Sequence, residues 1–147
     1  ILAALTRSFL IAIISIGVFS LIVDMPINNI LFIFIFCFLS AFILGSLGFI
    51  AGLWAEKFDH TATVTNFVIT PLSFLSGVFY SIDNLPKIFQ TISHINPFFY
   101  MIDGFRYGFL GRSDGSITIG LIYVTILSMV LWYVAFFLYK KGYKIKS

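Results

Sequence analysis

The sequence predicts an all-α integral membrane protein with four transmembrane helices and a short extracytoplasmic re-entrant helical hairpin before the last of them. Of the 147 residues, 60% are hydrophobic and 10% are charged, and the mean hydropathy is +1.05, far above the range of soluble domains. Several uncharged stretches are long enough to cross a bilayer. A third observation is that the apolar region 71–111 is interrupted by three prolines and four charged residues, which no ordinary spanning helix carries.

The composition also limits the functional classes. The net charge of +3 does not indicate a nucleic-acid partner, because four of the nine basic residues lie in the last eight positions, directly after an apolar stretch. Cys37 is the only cysteine, which excludes an internal disulfide and a cysteine-based metal site. His60 and His94 are predicted on opposite sides of the membrane, so we expect no metal ligands and no catalytic residues. Because Ile1 lies within an apolar stretch, we expect the chain to be the C-terminal part of a longer protein.

Residues 9–23 and 30–53 are the first two predicted spans. The first would measure roughly 22 Å at 1.5 Å per residue, so it needs its flanking residues to cross a hydrocarbon core of about 30 Å. Residues 24–29 contain a proline and two asparagines, which favour a turn and a helix cap. The second span carries no charge, and small residues on one of its faces favour close packing of another helix: Ala41, Gly45, Gly48 and Gly52.

The third predicted span, 64–80, follows a short polar loop and differs from the second in having a polar line. A spacing of four, three and four places four residues on one helical face: Asn66, Thr70, Ser73 and Gly77. In lipid, such amides and hydroxyls need partners, either at a helix interface or along a wet pathway. Both interpretations stay open, and they are compatible if the helix lines a cavity between subunits.

Two short amphipathic helices are predicted between the third span and the last. Asp83 or Asn84 can cap the first helix, which would begin near Pro86. Asn96 can cap the second, with Pro97 at its first position. Neither helix is long enough to cross a bilayer.

Together these helices form a predicted hairpin over residues 84–111. On the polar side of the second helix, Asp103 and Arg106 lie three positions apart and can pair. The hairpin either lies flat on the membrane surface or enters the bilayer and caps an exit route. The re-entrant form is favoured.

Residues 117–139 form the last predicted span, since they are uncharged and long enough to cross with some tilt. Four lysines follow at once, which places the C-terminus in the cytoplasm under the positive-inside rule. Counting back through four spans also places Arg7 and Lys57 on the cytoplasmic side. The hairpin then faces the outside.

The region 65–111 resembles a known family. The matching elements, in the order of the family pattern, are Pro71-Leu72, Ser76-Gly77-Val78-Phe79, Leu85-Pro86, Asn96-Pro97, and Gly104-Phe105-Arg106-Tyr107-Gly108 with Gly111. They resemble the C-terminal signature of type-2 ABC transporter permeases, which include drug-resistance, nodulation-factor and polysaccharide exporters. The similarity is greatest to bacterial inner-membrane permeases of the drug-exporter type. On that alignment the chain supplies the third to sixth spans of a six-span permease.

The resemblance implies the membrane subunit of an ATP-driven exporter that moves a hydrophobic or amphipathic substrate out of the cytoplasm. The implied partners are cytoplasmic ATP-binding subunits, a second permease copy and the lipid bilayer. ATP and Mg²⁺ would be bound by the ATP-binding subunit, since this chain has no G-x-x-x-x-G-K-[ST] loop and no cofactor is expected in it. Arg7 and Glu56 would contact that subunit. The stripe at 66, 70, 73 and 77 would lie near the central pathway.

A secondary transporter or channel subunit without an ATP-binding partner is the alternative. Ion coupling usually requires an ionisable residue within a span, and the spans from Ile30 onward contain none. An intramembrane enzyme would require a nucleophile with a base, or metal ligands, at membrane depth. The sequence therefore predicts a transport subunit rather than an enzyme.

Overall fold

The computed structural model of the chain describes residues 1–24, 26–55, 62–78 and 82–141. Every regular element within these ranges is helical, and none of them contains a strand. The helices in chain order are α1 Leu2–Ser20, α2 Ile30–Trp54, α3 Ala62–Phe74, α4 Lys87–Ile95, α5 Pro97–Leu110 and α6 Ile117–Lys140. A short 3₁₀ turn, Ile82–Asn84, precedes α4.

Three helices, α1, α2 and α6, are long and apolar enough to cross a membrane. Two of them agree closely with the predicted spans, because α2 and α6 each end one residue beyond the predicted position. Helix α1, predicted over residues 9–23, instead begins at Leu2 and ends at Ser20, so it includes Arg7 within its second turn. The all-helical membrane character predicted from composition is therefore confirmed for the described residues.

Helix α3 is shorter than the span predicted over 64–80. It ends at Phe74, and Gly77 lies in the following turn with a φ of 77°. At 1.5 Å per residue α3 is about 20 Å long, against a hydrocarbon core of about 30 Å. Part of α3, Thr65–Ile69, is a π-helix, whose turn holds more residues than an α turn. The third predicted span is thus shorter in the structure than the hydrocarbon core by about 10 Å.

Helix α5 occupies the centre of the fold, packed against both α2 and α6. The buried core cluster takes Phe36 and Ile43 from α2, Met101 from α5 and Val124 from α6. Half of the 14 residues of α5 are buried. Helix α5 is therefore surrounded by protein on most of its surface.

The approach of α5 to α2 depends on two glycines. A Cβ atom at Gly104 would lie 2.2 Å from the Phe36 ring, and one at Gly108 would lie 2.5 Å from Cγ1 of Ile33. Beyond them, the backbone N–H groups of Asn28 and Asn29 donate to the Gly108 carbonyl, at 3.1 and 2.8 Å. Helix α5 thus runs antiparallel to α2 and ends beside the start of α2.

Helix α1 packs along α2. A Cβ at Gly45 would lie 3.0 Å from the Ala4 Cβ, so Gly45 permits the contact predicted for the small-residue face of α2. A Cβ added at Gly48 or Gly52 would have no atom of a described residue within 4 Å, so these two glycines do not take part in the contact with α1. Only part of the predicted face is therefore used.

Side-chain caps define several helix ends. Asn29 Oδ1 accepts from the backbone N–H groups of Leu31 and Phe32 at 3.1 and 3.4 Å, as the turn composition predicted. Helix α4 begins at Lys87 after Pro86, without a side-chain cap, so the cap predicted from Asn84 is not formed. The side chain of Asp83 lies outside the described part of the chain.

Candidate functional site

The corner between α4 and α5 is joined to the end of α3 by two buried side chains. The Asn96 amide donates to the Leu72 carbonyl at 2.6 Å, and the Ser93 hydroxyl donates to the Leu75 carbonyl at 2.8 Å. Both side chains are almost fully buried. The last carbonyls of a helix have no partner within it, and in an apolar setting they require one. Helix α4 thus supplies the C-terminal cap of α3.

The same asparagine also begins α5. Asn96 Oδ1 accepts from the backbone N–H of Phe98 at 3.0 Å, with Pro97 at the first helical position. This is the cap that the sequence predicted. Tyr123 of α6 donates its hydroxyl to the Ile95 carbonyl at 2.8 Å. The corner is therefore bonded to both α3 and α6.

Three charged side chains form a second connection, here called the charged clasp: Asp103, Arg106 and Asp114. Arg106 Nη1 lies 2.8 Å from Asp114 Oδ2 and 3.8 Å from Asp103 Oδ1. Arg106 Nη2 donates to the carbonyl of Gly77, in the turn after α3. The clasp thus joins α5, the turn before α6 and the turn after α3.

Asp103 differs from its predicted role. It is 2% exposed and accepts from the backbone N–H groups of Asp114 and Gly115, at 2.8 and 3.1 Å. Burial raises the pKa of its carboxyl above the ordinary value, and these two hydrogen bonds oppose that rise. The predicted ion pair with Arg106 is long, because 3.8 Å separates Asp103 Oδ1 from Arg106 Nη1. Asp114, for which the sequence pattern predicted no role in the hairpin, is the closer partner of Arg106.

The polar stripe predicted on α3 does not form one continuous face. Asn66 and Thr70 are exposed, Ser73 is half-buried, and Gly77 is buried beyond the helix end. The π-helical turn changes the spacing that an α-helix would give. The hydroxyls of Thr70 and Ser73 donate to their own helix, to the carbonyls of Thr65 and Ile69 at 2.9 and 2.8 Å. These hydroxyls are therefore satisfied without a partner helix.

A cavity of about 450 Å³, here called the central cavity, lies between α1, α2, α3 and α5. Its wall combines apolar side chains with three serines and includes Ser8, Cys37, Ser40, Ser73, Phe98 and Phe105. Of the predicted stripe, only Ser73 reaches it. A neighbouring cavity of about 430 Å³ lies between the second half of α2 and α3 and is lined almost wholly by apolar residues.

A third space, here called the arginine cavity, measures about 370 Å³ and adjoins the central cavity. Arg7 lines it together with Gly45 and residues of α1. Glu56, the second residue predicted to contact an ATP-binding subunit, lies outside the described residues, as does His60. Within the described ranges no three His, Cys, Asp or Glu side chains could hold a metal ion.

A known family matches most of the helices described above. The profile of the ABC-2 type transporter family matches residues 1–110, which include α1 to α5 with the corner and part of the clasp. The chain belongs to the ABC-2 type transporter family. The resemblance drawn from the motifs between 65 and 111 is thereby confirmed.

Curated relatives in this ABC-2 family agree with that assignment. Inner membrane transport permease YadH of Escherichia coli K12 is 40% identical over 111 residues, which are 74% of this chain and 43% of the relative. Nodulation protein J of Sinorhizobium fredii is 28% identical over 97 residues, 66% of this chain and 37% of the relative. The chain thus spans less than half the length of these relatives. No solved structure matches it.

Proposed function

We propose that this chain is part of the membrane-spanning permease subunit of an ATP-driven exporter in a bacterial inner membrane. The observation that carries the proposal is the family match over residues 1–110. The name of one relative, an inner membrane transport permease, agrees with a transport role. Its cargo is a hydrophobic or amphipathic molecule, which suits the mainly apolar walls of the central cavity.

The proposed topology has four crossings, with α4 and α5 as a re-entrant hairpin on the outer side and the C-terminus in the cytoplasm. Local thinning of the bilayer accommodates the short helix α3. Helix α5 starts at Pro97, next to Phe98, which lines cavities shared with Leu44 and Leu47 near the middle of α2. It ends beside Asn28, at the start of α2. A helix in that position enters the depth of the neighbouring spans and returns to the same side. This packing favours the re-entrant form over a hairpin lying flat on the surface.

The mechanism relies on partners outside this chain. Cytoplasmic ATP-binding subunits close on ATP with Mg²⁺ and move the permease together with a second copy. Glu56, after α2, is a proposed contact for those subunits, whereas Arg7 lines a cavity between α1 and α2. Helix α3 is attached to the rest of the chain through the corner and the clasp, both near its C-terminal end. Movement of α3 relative to α2 would change the central cavity, because Ile69 and Ser73 form part of its wall.

Purification with and without an ATP-binding partner tests this function. The full-length protein is co-expressed with a candidate ATP-binding subunit from the same organism, and the complex is reconstituted into vesicles. We expect co-purification and ATP-dependent export of an amphipathic dye, which a partner defective in ATP hydrolysis abolishes. Transport that is driven by an ion gradient and needs no ATP would instead establish a secondary transporter.

A further inference from the structure

The arginine cavity and the central cavity adjoin each other, and the two together are here called the groove. Both are lined by Ser8 of α1 and by Ala41 and Leu44 of α2. At one end of the groove lies the Arg7 side chain, and at the other lie the apolar side chains of Ile102 and Phe105 on α5. Each cavity has a volume within the range of small-molecule sites, about 300 to 1,000 Å³. The groove is therefore polar and cationic at one end and apolar at the other.

Arg7 has no anionic partner in the part of the chain that the structure describes. It lies on a helix long and apolar enough to span a membrane, where an unpaired guanidinium is costly. A guanidinium has five N–H donors in a fork that fits the oxygens of a phosphate or carboxylate. An anion bound in the arginine cavity would satisfy these donors and remove the cost of the unpaired charge.

Two serine hydroxyls extend the polar end toward the central cavity. Ser8 and Ser40 both line the central cavity, and Ser8 also lines the arginine cavity. Neither hydroxyl is bonded to another residue within the described ranges. Ser73, in contrast, donates to its own helix. Ser8 and Ser40 are thus available to donate to a head group placed beside Arg7.

We propose that this groove binds a single-chain amphiphile with an oxyanion head group, and that this amphiphile is the exported cargo. The head group lies against Arg7, Ser8 and Ser40, and the alkyl chain lies against Ile102 and Phe105. The assignment as cargo rests on the proposed exporter function, whereas the binding site rests on the groove alone. Charge complementarity at Arg7 favours an anionic amphiphile over a cationic or neutral one of the same length.

Cys37 provides a reporter for occupancy, because its side chain lines the central cavity. The full-length protein, with any cysteine other than Cys37 replaced by serine, is placed in phosphatidylcholine vesicles and alkylated with N-ethylmaleimide. Alkylation is followed by mass spectrometry in the presence of dodecyl phosphate, dodecyltrimethylammonium or dodecyl maltoside. We expect dodecyl phosphate to slow alkylation at concentrations at which the other two have no effect.

Substitutions of Arg7 test whether the anionic head group binds beside it. In Arg7→Gln the dodecyl phosphate concentration for half-protection should rise about tenfold or more, as expected for the loss of a hydrogen bond to a charged group. Arg7→Lys should restore part of the protection, since the positive charge is kept. Arg112→Gln is the matched control, because Arg112 is an exposed cation in the turn before α6, and it should leave protection unchanged.

Several results would overturn the proposal. Equal protection by all three amphiphiles would show an apolar site without anion selectivity. Full protection without any additive would show that another part of the protein or a second copy fills the groove. Protection by phosphatidylglycerol vesicles alone would identify the occupant as bilayer lipid. The alkylation test needs no ATP, so anion-selective protection in a protein that binds no ATP-binding subunit would contradict the exporter function and leave the binding site standing.

Discussion

The amide of Asn96 donates a hydrogen bond to the carbonyl of Leu72, so one side chain both begins α5 and ends α3. The two residues are 24 positions apart in sequence. Because Asn96 is 3% exposed, water cannot replace either bond. The end of α3 is thus stabilised by the hairpin through the side chain of Asn96.

We predict that Asn96→Ala lowers the free energy of unfolding by about 2 kcal/mol, since a helix cap and a buried hydrogen bond are both lost. Asn96→Asp should be at least as damaging, because it keeps the bond from the Phe98 N–H but buries a carboxylate whose second oxygen faces the Leu72 carbonyl and repels it. Thermal unfolding of the full-length protein in detergent measures both changes. Thr91→Ala is the control, because the exposed Thr91 hydroxyl bonds only to its own helix. A loss as large in Thr91→Ala as in Asn96→Ala would contradict the role of the corner.

The second prediction concerns the two glycines of α5 that face α2. Gly104→Ala places a methyl group 2.2 Å from the Phe36 ring, which is fully buried and cannot move freely. Overpacking of this kind costs about 1–3 kcal/mol. Gly48→Ala is the matched control, since nothing lies within 4 Å of that position and alanine favours the helix by up to about 1 kcal/mol. Unfolding in denaturant should therefore show opposite signs for the two variants.

The third prediction concerns the charged clasp. Asp114→Asn removes the carboxylate closest to Arg106, which leaves a half-buried guanidinium facing Asp103 at 3.8 Å. Removing one partner of a buried charge pair is often more damaging than removing both. We therefore expect Arg106→Gln combined with Asp114→Asn to be more stable than the sum of the single variants implies, by about 1 kcal/mol. A double-mutant cycle on assembly or thermal stability measures this coupling.

The same cycle on Asp103 and Arg106 provides the comparison. Because that pair is longer and Asp103 is held by two backbone N–H groups, the coupling should be smaller than for Arg106 with Asp114. Equal and negligible effects in all variants would show that the clasp is a solvated pair worth about 0–1 kcal/mol.

The fourth prediction tests whether the central cavity serves transport. Ser73→Leu adds a large side chain to the cavity wall, and Gly77→Leu forces a branched residue to a φ of 77° and disturbs the carbonyl that Arg106 binds. A cost of about 1–3 kcal/mol in the cargo-bound state weakens binding by roughly 5- to 150-fold. Ser73→Ala keeps the cavity and is expected to be mild. Export and ATPase coupling that are intact in both leucine variants would exclude a pathway role.

Local signals in the sequence predicted much of the fold. Asn96 is predicted as a cap, Asn29 is one of two asparagines in a turn predicted to supply one, and uncharged runs locate α2 and α6 to within a residue of their ends. These features depend on neighbouring residues and on composition, which a single sequence displays. The close approach of α5 to α2 also had a local signal, because Gly104 and Gly108 have the spacing of a helix-packing motif.

The sequence does not predict the features of the fold that depend on contacts between residues far apart in the chain. The end of α3 at Phe74 depends on Ser93 and Asn96, which bond to the carbonyls of Leu75 and Leu72 from another helix. The role of Asp114 depends on the return of the chain to α5. The predicted stripe on α3 assumes α-helical spacing, whereas Thr65–Ile69 is a π-helix. Sequence spacing alone does not distinguish these two geometries.

The central position of α5 has a consequence for the choice of medium in which the protein is handled. Helix α5 is surrounded mainly by other parts of the protein, so its surroundings change little when detergent replaces lipid. Among the described residues, α1 has no buried member and packs mainly along α2, so most of its surface is left to lipid, detergent or other parts of the assembly. Detergent should therefore disturb the contact between α1 and α2 before it reaches the corner or the clasp.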